Sequence, residues 1–516
     1  MTGGAKRSPP PAPTPWLRRN ARPLLLVLLL AVIELTYVAI ISAGTFTTWP
    51  TWNNNYDLLA EGFRSGHLYL SMPPPPELLA KADPFNPAWR PLWFWDASLH
   101  DGHYYLYWGP FPAVVLAAVR SVFRIRATVG DQYAVFAFYT IHLVAGALLI
   151  ARMSQRLSAR VPIALTALCI VVFAYANPTP YLIATPGIYE AAIAGGQAFL
   201  LLGLLAAFEA LWRDGPAARR RLLLAAGLAW GFAFGCRAST ALSAAILVVI
   251  TALAIAPPVG GPRAWRLPAR PALWMASPLA ACVLAHLAYN KLRFGAWLDF
   301  GLSKQLSTMH FRTAPGYLLP NLYSYLFRPL QPSCRFPFLT APLGLGARAF
   351  PGAGALPRGY EAHEPLAGLV NATPWVLLAG VAVALLAAAL WRARRARGAL
   401  AEMDRTARAS LWCGAAFLVM GTVTGLAEIT EFFASMRFLA DVASGLVLAG
   451  IWAAFLIYAR LRDQLWPGRI ATALLVALGG ATVAIGLLLG VQGYDQMFAR
   501  HNPELFARWV RLFSRC

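Results

Sequence analysis

Long runs of apolar residues, separated by short basic or proline-rich segments, fill most of this 516-residue sequence. Because about 20 consecutive apolar residues cross the hydrocarbon core of a bilayer as a helix, each run of that length is a candidate span. The pattern predicts eleven spans, at 23–43, 131–151, 161–177, 188–212, 222–236, 240–257, 271–290, 374–391, 411–427, 438–458 and 470–491. The fold class that follows is an all-α polytopic integral membrane protein.

A twelfth apolar segment, 109–123, is short, opens with GPFP and carries Arg120. The charge distribution decides whether it spans. If it does not, the loops on the amino-terminal side carry 24 of the 44 Lys and Arg residues but only 4 of the 22 Asp and Glu residues. Cytoplasmic loops carry such a basic excess. We therefore expect 109–123 to be an amphipathic helix in the outer interface, with the amino terminus inside and the carboxyl terminus outside.

This topology divides the chain into three parts. Residues 1–22 are predicted to be a disordered basic cytoplasmic leader, 23–493 a transmembrane domain and 494–516 a short extracytoplasmic segment. Two large loops, 44–130 and 291–373, are expected to open together on the extracytoplasmic side.

The composition, with 58% apolar and only 13% charged residues, fits a membrane protein. The net charge of +22 would suit nucleic acid only if it were gathered on one polar face, but the basic residues lie in clusters between apolar runs. The six cysteines form no CxxC pair and no Cys/His cluster of zinc spacing. Cys334 and Cys516 lie in polar regions, and a disulfide between them is left open but not favoured.

Carboxylates on the outer side are the candidates for acid–base chemistry. The first loop holds Asp57, Asp96 and Asp101, and Glu190 lies at the outer mouth of a predicted span. Any one of the loop acids is more simply explained as a solvated charge. A carboxylate at the depth of Glu190 usually faces a water-filled cavity or a partner.

Three arginines are expected near the same plane, namely Arg237, Arg293 and Arg437. Each alone is explained at least as well by snorkelling of its guanidinium to lipid headgroups. Together, beside several carboxylates, they would suit an anionic headgroup, because guanidinium groups bind phosphate with two parallel hydrogen bonds. They are the candidate ligands of a donor phosphate.

The segment DGHYYLYWG contains His103, Tyr104, Tyr105 and Trp108 close to two of the acids. Such rings ordinarily form an interfacial belt, which does not explain the acids and histidines among them. Aromatic faces with interspersed carboxylates also suit sugar binding, so these four residues are candidate contacts for a sugar or an acceptor. Glu190 is a candidate to orient the acceptor or a cation.

Several short motifs resemble the GT-C superfamily of glycosyltransferases, in the branch of the protein O-mannosyltransferases and the lipid A aminoarabinose transferase. YDLLAEGFRSGHLYL and DGHYYLYWGPFPAVVL are similar to segments of that family, as is GLAWGFAFGCRAST, with Arg237 at the basic position. Glu190 in TPGIYEAA corresponds to an acid at the outer start of a span. In topology the resemblance covers nearly the whole chain. One departure is that residues 53–55 are asparagines where the family has its acid, with Asp57 just beyond them.

The resemblance implies an inverting glycosyltransferase of a bacterial inner membrane, with its active site facing the periplasm or the cell exterior. The enzyme would transfer a sugar from a polyprenyl-phosphate donor to a lipid, glycan or protein acceptor, and no nucleic acid is expected as a partner. Asp57 is the first choice as general base, followed by Asp96 or Asp101. The motifs require no cofactor, and a divalent cation is left open.

A lipid or solute transporter is the alternative from another class. Transporters tend to have internal repeats and charged residues near the bilayer midplane, whereas here the acids crowd one face and no repeat is evident. A non-catalytic protein that binds a lipid-linked sugar is a third hypothesis, which the asparagines at 53–55 keep open.

Overall fold

The computed structural model describes residues 15–158, 161–255, 268–309, 311–343, 356–361, 364–395, 403–514 and 516, which fold mainly into helices. The described α-helices are α1 Pro15–Ile41, α2 Asn55–Arg64, α3 Pro76–Leu79, α4 Phe111–Phe123, α5 Asp131–Arg156, α6 Ile163–Tyr175, α7 Thr179–Ile183, α8 Ile188–Leu211, α9 Pro216–Cys236, α10 Thr240–Ile255, α11 Ala269–Phe294, α12 Leu318–Phe327, α13 Leu369–Ala372, α14 Leu377–Arg395, α15 Arg405–Val423, α16 Ala440–Leu461, α17 Leu465–Gln492, α18 Met497–His501 and α19 Pro503–Phe513. Single 3-10 turns are Pro87–Leu92, Leu302–Lys304, Pro315–Tyr317, Pro374–Val376, Thr424–Leu426, Glu428–Thr430, Met436–Leu439 and Tyr494–Gln496. The strands are β1 Ser98–His100, β2 His103–Tyr105, β3 Gln331–Pro332 and β4 Leu339–Thr340, paired as two antiparallel hairpins.

Each of the eleven predicted spans coincides with a helix. Within the described residues, eight helices are long and apolar enough to cross a membrane. α6 and α10 are shorter, with 13 and 16 residues. The prediction of an all-α polytopic membrane protein is confirmed, while the number of spans, the domain limits and the orientation stay predictions. Residues 1–14 of the predicted leader lie outside the described residues, whereas residues 15–22 form the start of helix α1 rather than a disordered segment.

Helix α8 is the centre of the bundle and packs between α5 and α9. In its most apolar window 78% of the residues are buried, against 22% in α1 and in α11. Small residues permit this close packing. A Cβ added to Gly203 of α8 would lie 2.2 Å from the indole nitrogen of Trp230 on α9.

In the first loop, a buried ion pair joins α2 to α4. Asp57 of α2 pairs with Arg120 of α4, and both side chains are about 6% exposed. Glu61 lies 3.6 Å from the same guanidinium, so the spacing of four residues puts both acids on one helical face. The backbone N–H groups of Asn55 and Tyr56, at the start of α2, donate to a carboxylate of α5, over 3.1 and 3.2 Å.

The start of α4 lies directly against the end of α9. A Cβ at Gly109 would lie 2.1 Å from the carbonyl oxygen of Gly235, so only glycine permits this approach. The Phe111 ring stacks on Phe232 with 4.1 Å between centroids. This contact places Trp108 beside the residue that follows α9.

The carboxyl-terminal segment is fastened to the second loop. Cys334 and Cys516 form a disulfide across 182 residues, the pairing that the sequence leaves open. The backbone N–H of Phe336 donates to Ser514 Oγ at 2.9 Å, and its ring packs on Trp509 of α19. The second loop is therefore attached to the carboxyl-terminal segment by a disulfide, a hydrogen bond and a ring contact.

Candidate active site

Two adjoining cavities lie at the end of the bundle where α8 and α16 begin and α9 and α11 end. The first, called the apolar chamber because side chains such as Phe300, Leu302, Phe311, Phe432 and Phe433 form most of its wall, has a volume of about 290 Å³. Its lining also includes Tyr107, Trp108, Arg237, His286, Glu428 and Glu431. The second, the polar chamber, has a volume of about 550 Å³, and its lining includes Trp52, Asn53, Asn55, Glu190, Glu364 and Tyr494. Asp96, Tyr189, Met309 and Arg437 line both chambers. A ligand in either chamber would therefore meet the same carboxylate and the same guanidinium.

Asp96 lies at this junction in an unusual backbone conformation, with φ +65°. Its Oδ1 accepts a hydrogen bond from Gln305 Nε2 at 2.9 Å, and the same amide donates to the Tyr107 hydroxyl at 3.2 Å. Burial raises the pKa of Asp96 above its ordinary value, and hydrogen bonds and Arg437 oppose the shift in part. A carboxylate that is easier to protonate than usual and lines a cavity is suited to general base catalysis.

Arg437 faces Asp96 across the same junction. Its guanidinium pairs with Glu364 of the second loop and lies 4.1 Å from the centroid of the Tyr189 ring. Within the described part of the chain, its Nε has no hydrogen-bond partner. A guanidinium that is oriented by a carboxylate and an aromatic face, with a donor still unused, can accept an anionic ligand.

Arg237 is compensated differently. Its Nε donates to Asp441 Oδ2 at 2.5 Å, and its terminal nitrogen donates to Glu428 Oε1 at 3.2 Å. Gln197 Nε2 donates to the other Asp441 oxygen at 3.2 Å. Two carboxylates therefore already balance this guanidinium, and a phosphate would have to compete with both of them.

The polar chamber holds Glu190 at the amino-terminal end of α8. Its Oε2 accepts a hydrogen bond from the backbone N–H of Gly187 at 3.1 Å. Asn53 lies nearby, and its Oδ1 has no hydrogen-bond partner in the described residues. An unpaired acceptor and a carboxylate in one cavity can bind hydroxyl groups of an incoming substrate.

Five of the residues selected from the sequence line the two chambers, namely Asp96, Trp108, Glu190, Arg237 and Arg437. The other six lie elsewhere in the described structure, namely Asp57, Asp101, His103, Tyr104, Tyr105 and Arg293. Asp57 is engaged in the ion pair with α4, so the structure does not bring it to the junction. Arg293 is buried and donates to the Leu106 carbonyl at 2.6 Å and to Asn290 Oδ1 at 2.7 Å, which fastens α11 to the first loop.

The remaining four residues belong to the hairpin β1–β2. Asp101 and Gly102 form its two-residue turn with φ +47° and +71°, a conformation that Asp-Gly favours, and the Asp101 side chain is 83% exposed. Tyr104 is buried in the core, and the Tyr105 ring packs on Phe294 at 5.3 Å. The His103 ring lies 4.0 Å from that of Tyr69. These rings stabilise the hairpin rather than line a chamber.

Four further residues that line the chambers, namely Gln305, Glu364, Glu431 and His286, are not among those predicted from the sequence. Gln305 and Glu364 lie in the second loop, where nothing in the local pattern separates them from other loop residues. Glu431, whose pKa burial raises to about 7, follows one of the apolar runs. His286 is buried, and neither ring nitrogen has a hydrogen-bond partner among the described residues; a histidine within an apolar run is itself a signal of function.

Among the described residues, no group of three or more His, Cys, Asp or Glu side chains is arranged to hold a metal ion. The divalent cation left open by the sequence therefore stays a prediction.

No family model matches the sequence, and no curated protein matches it. Among solved structures, 93% of the chain is similar to the oligosaccharyltransferase of Archaeoglobus fulgidus tethered with an acceptor peptide, at 10% identity and a TM-score of 0.48. The same archaeal enzyme in complex with an inhibitory peptide and a dolichol-phosphate gives 12% identity and a TM-score of 0.46. The chain covers 56% of that protein, little more than half its length.

ArnT from Cupriavidus metallidurans bound to undecaprenyl phosphate is also similar, at 14% identity and a TM-score of 0.41 over 92% of this chain and 77% of that one. All of these matches have identities of 10–14% and TM-scores below 0.5. At such values the likeness carries no conclusion about the fold family, the activity or the substrate of this chain.

Proposed function

We propose that this protein is a membrane glycosyltransferase that transfers a sugar from a polyprenyl-phosphate-linked donor to an acceptor. The observation that carries the proposal is the position of Asp96 and Arg437 at the boundary between an apolar and a polar chamber. Such a transfer needs a lipid-linked donor and a separate acceptor to meet at one base and one phosphate ligand. The apolar chamber suits the lipid-linked donor, and the polar chamber suits the hydroxyl-bearing acceptor.

In the proposed reaction, Asp96 takes the proton of the acceptor hydroxyl as its oxygen attacks the anomeric carbon of the sugar. The bond between that carbon and the donor phosphate breaks, and its electron pair leaves with the polyprenyl phosphate. Arg437 stabilises the negative charge that develops on the leaving oxygen. A single displacement inverts the anomeric configuration. The acceptor, which is a lipid, a glycan or a protein, is held by Glu190 and by Asn53.

The other candidates have supporting parts in this proposal. Trp108 lies with its ring 5.8 Å from the guanidinium of Arg237, where it can cover one side of the donor sugar. Arg237 orders the apolar chamber through its two carboxylates and is the second candidate for the donor phosphate. Asp57 and Asp101 remain the less favoured candidates for the base, since neither lines a chamber.

The disulfide supports an extracytoplasmic active site. Disulfides persist in oxidising compartments such as the bacterial periplasm, and Cys334 belongs to the same loop that supplies Glu364 to the site. With the basic excess on the opposite loops, this favours a protein of the bacterial inner membrane whose chambers open to the periplasm.

Release of free polyprenyl phosphate tests the proposal. Full-length protein reconstituted in lipid is given a panel of polyprenyl-phosphate sugars, and the wild type should release lipid phosphate from at least one of them. Arg437→Gln should lower the rate by about 100-fold or more, the usual effect of losing one stabilising donor. Arg335→Gln, an exposed arginine of the same loop, is the matched control and should keep the wild-type rate.

Thermal unfolding of all three proteins shows whether each one is folded. If folded wild type releases nothing from any donor, the proposal fails. Movement of a lipid or solute across the reconstituted membrane would then identify a transporter. Binding of a lipid-linked sugar without turnover would identify a non-catalytic protein.

A further inference from the structure

A small basic cavity lies at the opposite end of the bundle from the two chambers. α8 begins beside the polar chamber and ends at Leu211, and its 24 residues span about 35 Å. At that far end, between the end of α10 and the starts of α9 and α15, there is a concavity of about 50 Å³. Its lining consists of Ala210, Leu211, Arg219, Ala254, Ile255, Arg405, Arg408 and Ala409. This cavity, called the basic notch, has no part in the proposed transfer reaction.

The charged groups of the basic notch are all arginines, and no Asp or Glu is among its lining residues in the described structure. Two of these guanidinium groups are oriented by fixed partners. Arg219 Nε donates to the Arg213 carbonyl at 3.0 Å, and Arg405 pairs with Asp214, whose carboxylate is largely exposed. Three arginines therefore line this small cavity, and the contacts with Arg213 and Asp214 hold the guanidinium groups of Arg219 and Arg405 in position.

The size and walls of the notch define the ligand that it suits. About 50 Å³ holds one phosphate-sized group, far less than the usual small-molecule pocket. Guanidinium groups bind phosphate oxygens with paired, charge-assisted hydrogen bonds. The alanine, leucine and isoleucine side chains at the helix ends supply an apolar wall beside them. Basic pockets between membrane helices at headgroup level bind anionic lipid headgroups.

We propose that the basic notch binds the phosphate of an anionic phospholipid in the leaflet opposite to the candidate active site. The bound lipid would join α9 to α15 through the guanidinium groups of Arg219 and Arg405. This inference does not depend on the glycosyltransferase proposal, because no residue of the notch lines either chamber.

Lipid titration of the purified full-length protein in a neutral detergent tests this inference. Binding is measured by native mass spectrometry and by the rise in unfolding temperature. The probes are phosphatidylglycerol, phosphatidylcholine and inorganic phosphate. Wild type should bind phosphatidylglycerol in preference to phosphatidylcholine, and Arg219→Gln should weaken that binding by about 10-fold or more, since a charge-assisted contact is lost.

Two further variants separate a specific site from general attraction. Arg220→Gln removes the same charge one residue away, from an exposed side chain outside the notch, and should bind as the wild type does. Ala254→Leu keeps every charge but fills the notch, and should weaken binding as Arg219→Gln does. Equal binding by all four proteins, or equal binding of the two phospholipids, would overturn the proposal. Equal protection by inorganic phosphate alone would overturn the assignment to a lipid.

Discussion

Replacing Asp96 by Asn is the sharpest single test of the candidate active site. Asn is the closest replacement in shape, and like Asp it tolerates a positive φ such as the +65° found here. Asn can also keep the hydrogen bond from Gln305. The substitution therefore removes the ability to accept a proton while leaving the backbone and the nearest contact in place.

The expected loss in turnover is about 10²- to 10⁴-fold, the usual contribution of a general base, or about 3 to 5 kcal/mol of transition-state stabilisation. The stability of the variant, in contrast, should stay equal to that of the wild type or increase. Because burial raises the pKa of Asp96, the folded protein disfavours its charged form. The free energy of unfolding therefore falls as the pH rises from the ordinary pKa of an aspartate to the raised folded-state pKa. Asp96→Asn removes that penalty, so its unfolding temperature at neutral pH should equal or exceed that of the wild type.

The pH profile gives a second readout. The wild-type rate should fall as the pH decreases through the raised pKa of Asp96, at a higher pH than the value of about 3.9 of an ordinary aspartate. The assay is release of polyprenyl phosphate from the best donor, measured from pH 4 to pH 9 in steps of about 0.5 pH unit. Asp101→Asn, in the same loop with a similar positive φ but an exposed side chain, is the control and should match the wild type. A fully active Asp96→Asn, or an equal loss in both variants, would refute the assignment of the base.

Three other substitutions separate structural from chemical roles. Asp57→Asn should lower the free energy of unfolding by about 1 to 3 kcal/mol, because it leaves the buried Arg120 guanidinium with Glu61 at 3.6 Å as its remaining carboxylate. A large loss of turnover in a protein of unchanged unfolding temperature would instead make Asp57 the base. His286→Phe should keep the unfolding temperature, since it removes a buried imidazole that has no hydrogen-bond partner among the described residues. It should lower kcat/KM for the donor by about 10-fold, since the imidazole lines the apolar chamber and can bond to the donor there; an unchanged kcat/KM contradicts that role. Gly109→Ala should destabilise the protein by about 1 to 3 kcal/mol through the clash with Gly235, measured by thermal unfolding, and a stable variant would show that α4 can move away from α9.

Hydropathy alone predicts the helices because a chain inside a bilayer has few choices. Backbone N–H and C=O groups must pair within each segment, so a long apolar run becomes a helix whatever its neighbours are. The run 188–212 becomes α8, which begins at the predicted residue and ends one residue earlier than predicted. The same reasoning separates 109–123 as a helix of its own, observed as Phe111–Phe123.

The hairpin was accessible from the sequence but was not predicted. Asp101-Gly102 between two short runs of aromatic and aliphatic residues is a strong local signal for a two-residue turn. This signal assigns Asp101 to a turn at the tip of the hairpin, where its side chain is exposed. Asp96 precedes the hairpin and carries no such signal, so local sequence alone separates the two candidate bases.

Pairings between distant residues could not be predicted, and they decide the function of each charge. Asp57 and Arg120 are 63 residues apart, and Arg237 and Asp441 are 204 apart. Charges buried among membrane helices are expected to find partners, but composition does not say which partner each one takes. The sequence therefore identifies the charged residues and leaves open which of them are satisfied within the protein.

The three arginines predicted to bind the donor phosphate differ in how far their guanidinium groups are already bonded within the protein. Arg237 is balanced by two carboxylates and Arg293 by a carbonyl and an amide oxygen, so each joins elements that are distant in the sequence. Arg437 has one carboxylate partner and an aromatic face, and it lines both chambers. A phosphate at Arg237 would have to compete with two carboxylates. The Nε groups of Arg293 and Arg437 both lack a hydrogen-bond partner among the described residues, but only Arg437 lines the chambers where a donor could reach it. The arginine that combines an unused donor with a position in both chambers is therefore the one that can respond most strongly to charge developing on a leaving phosphate.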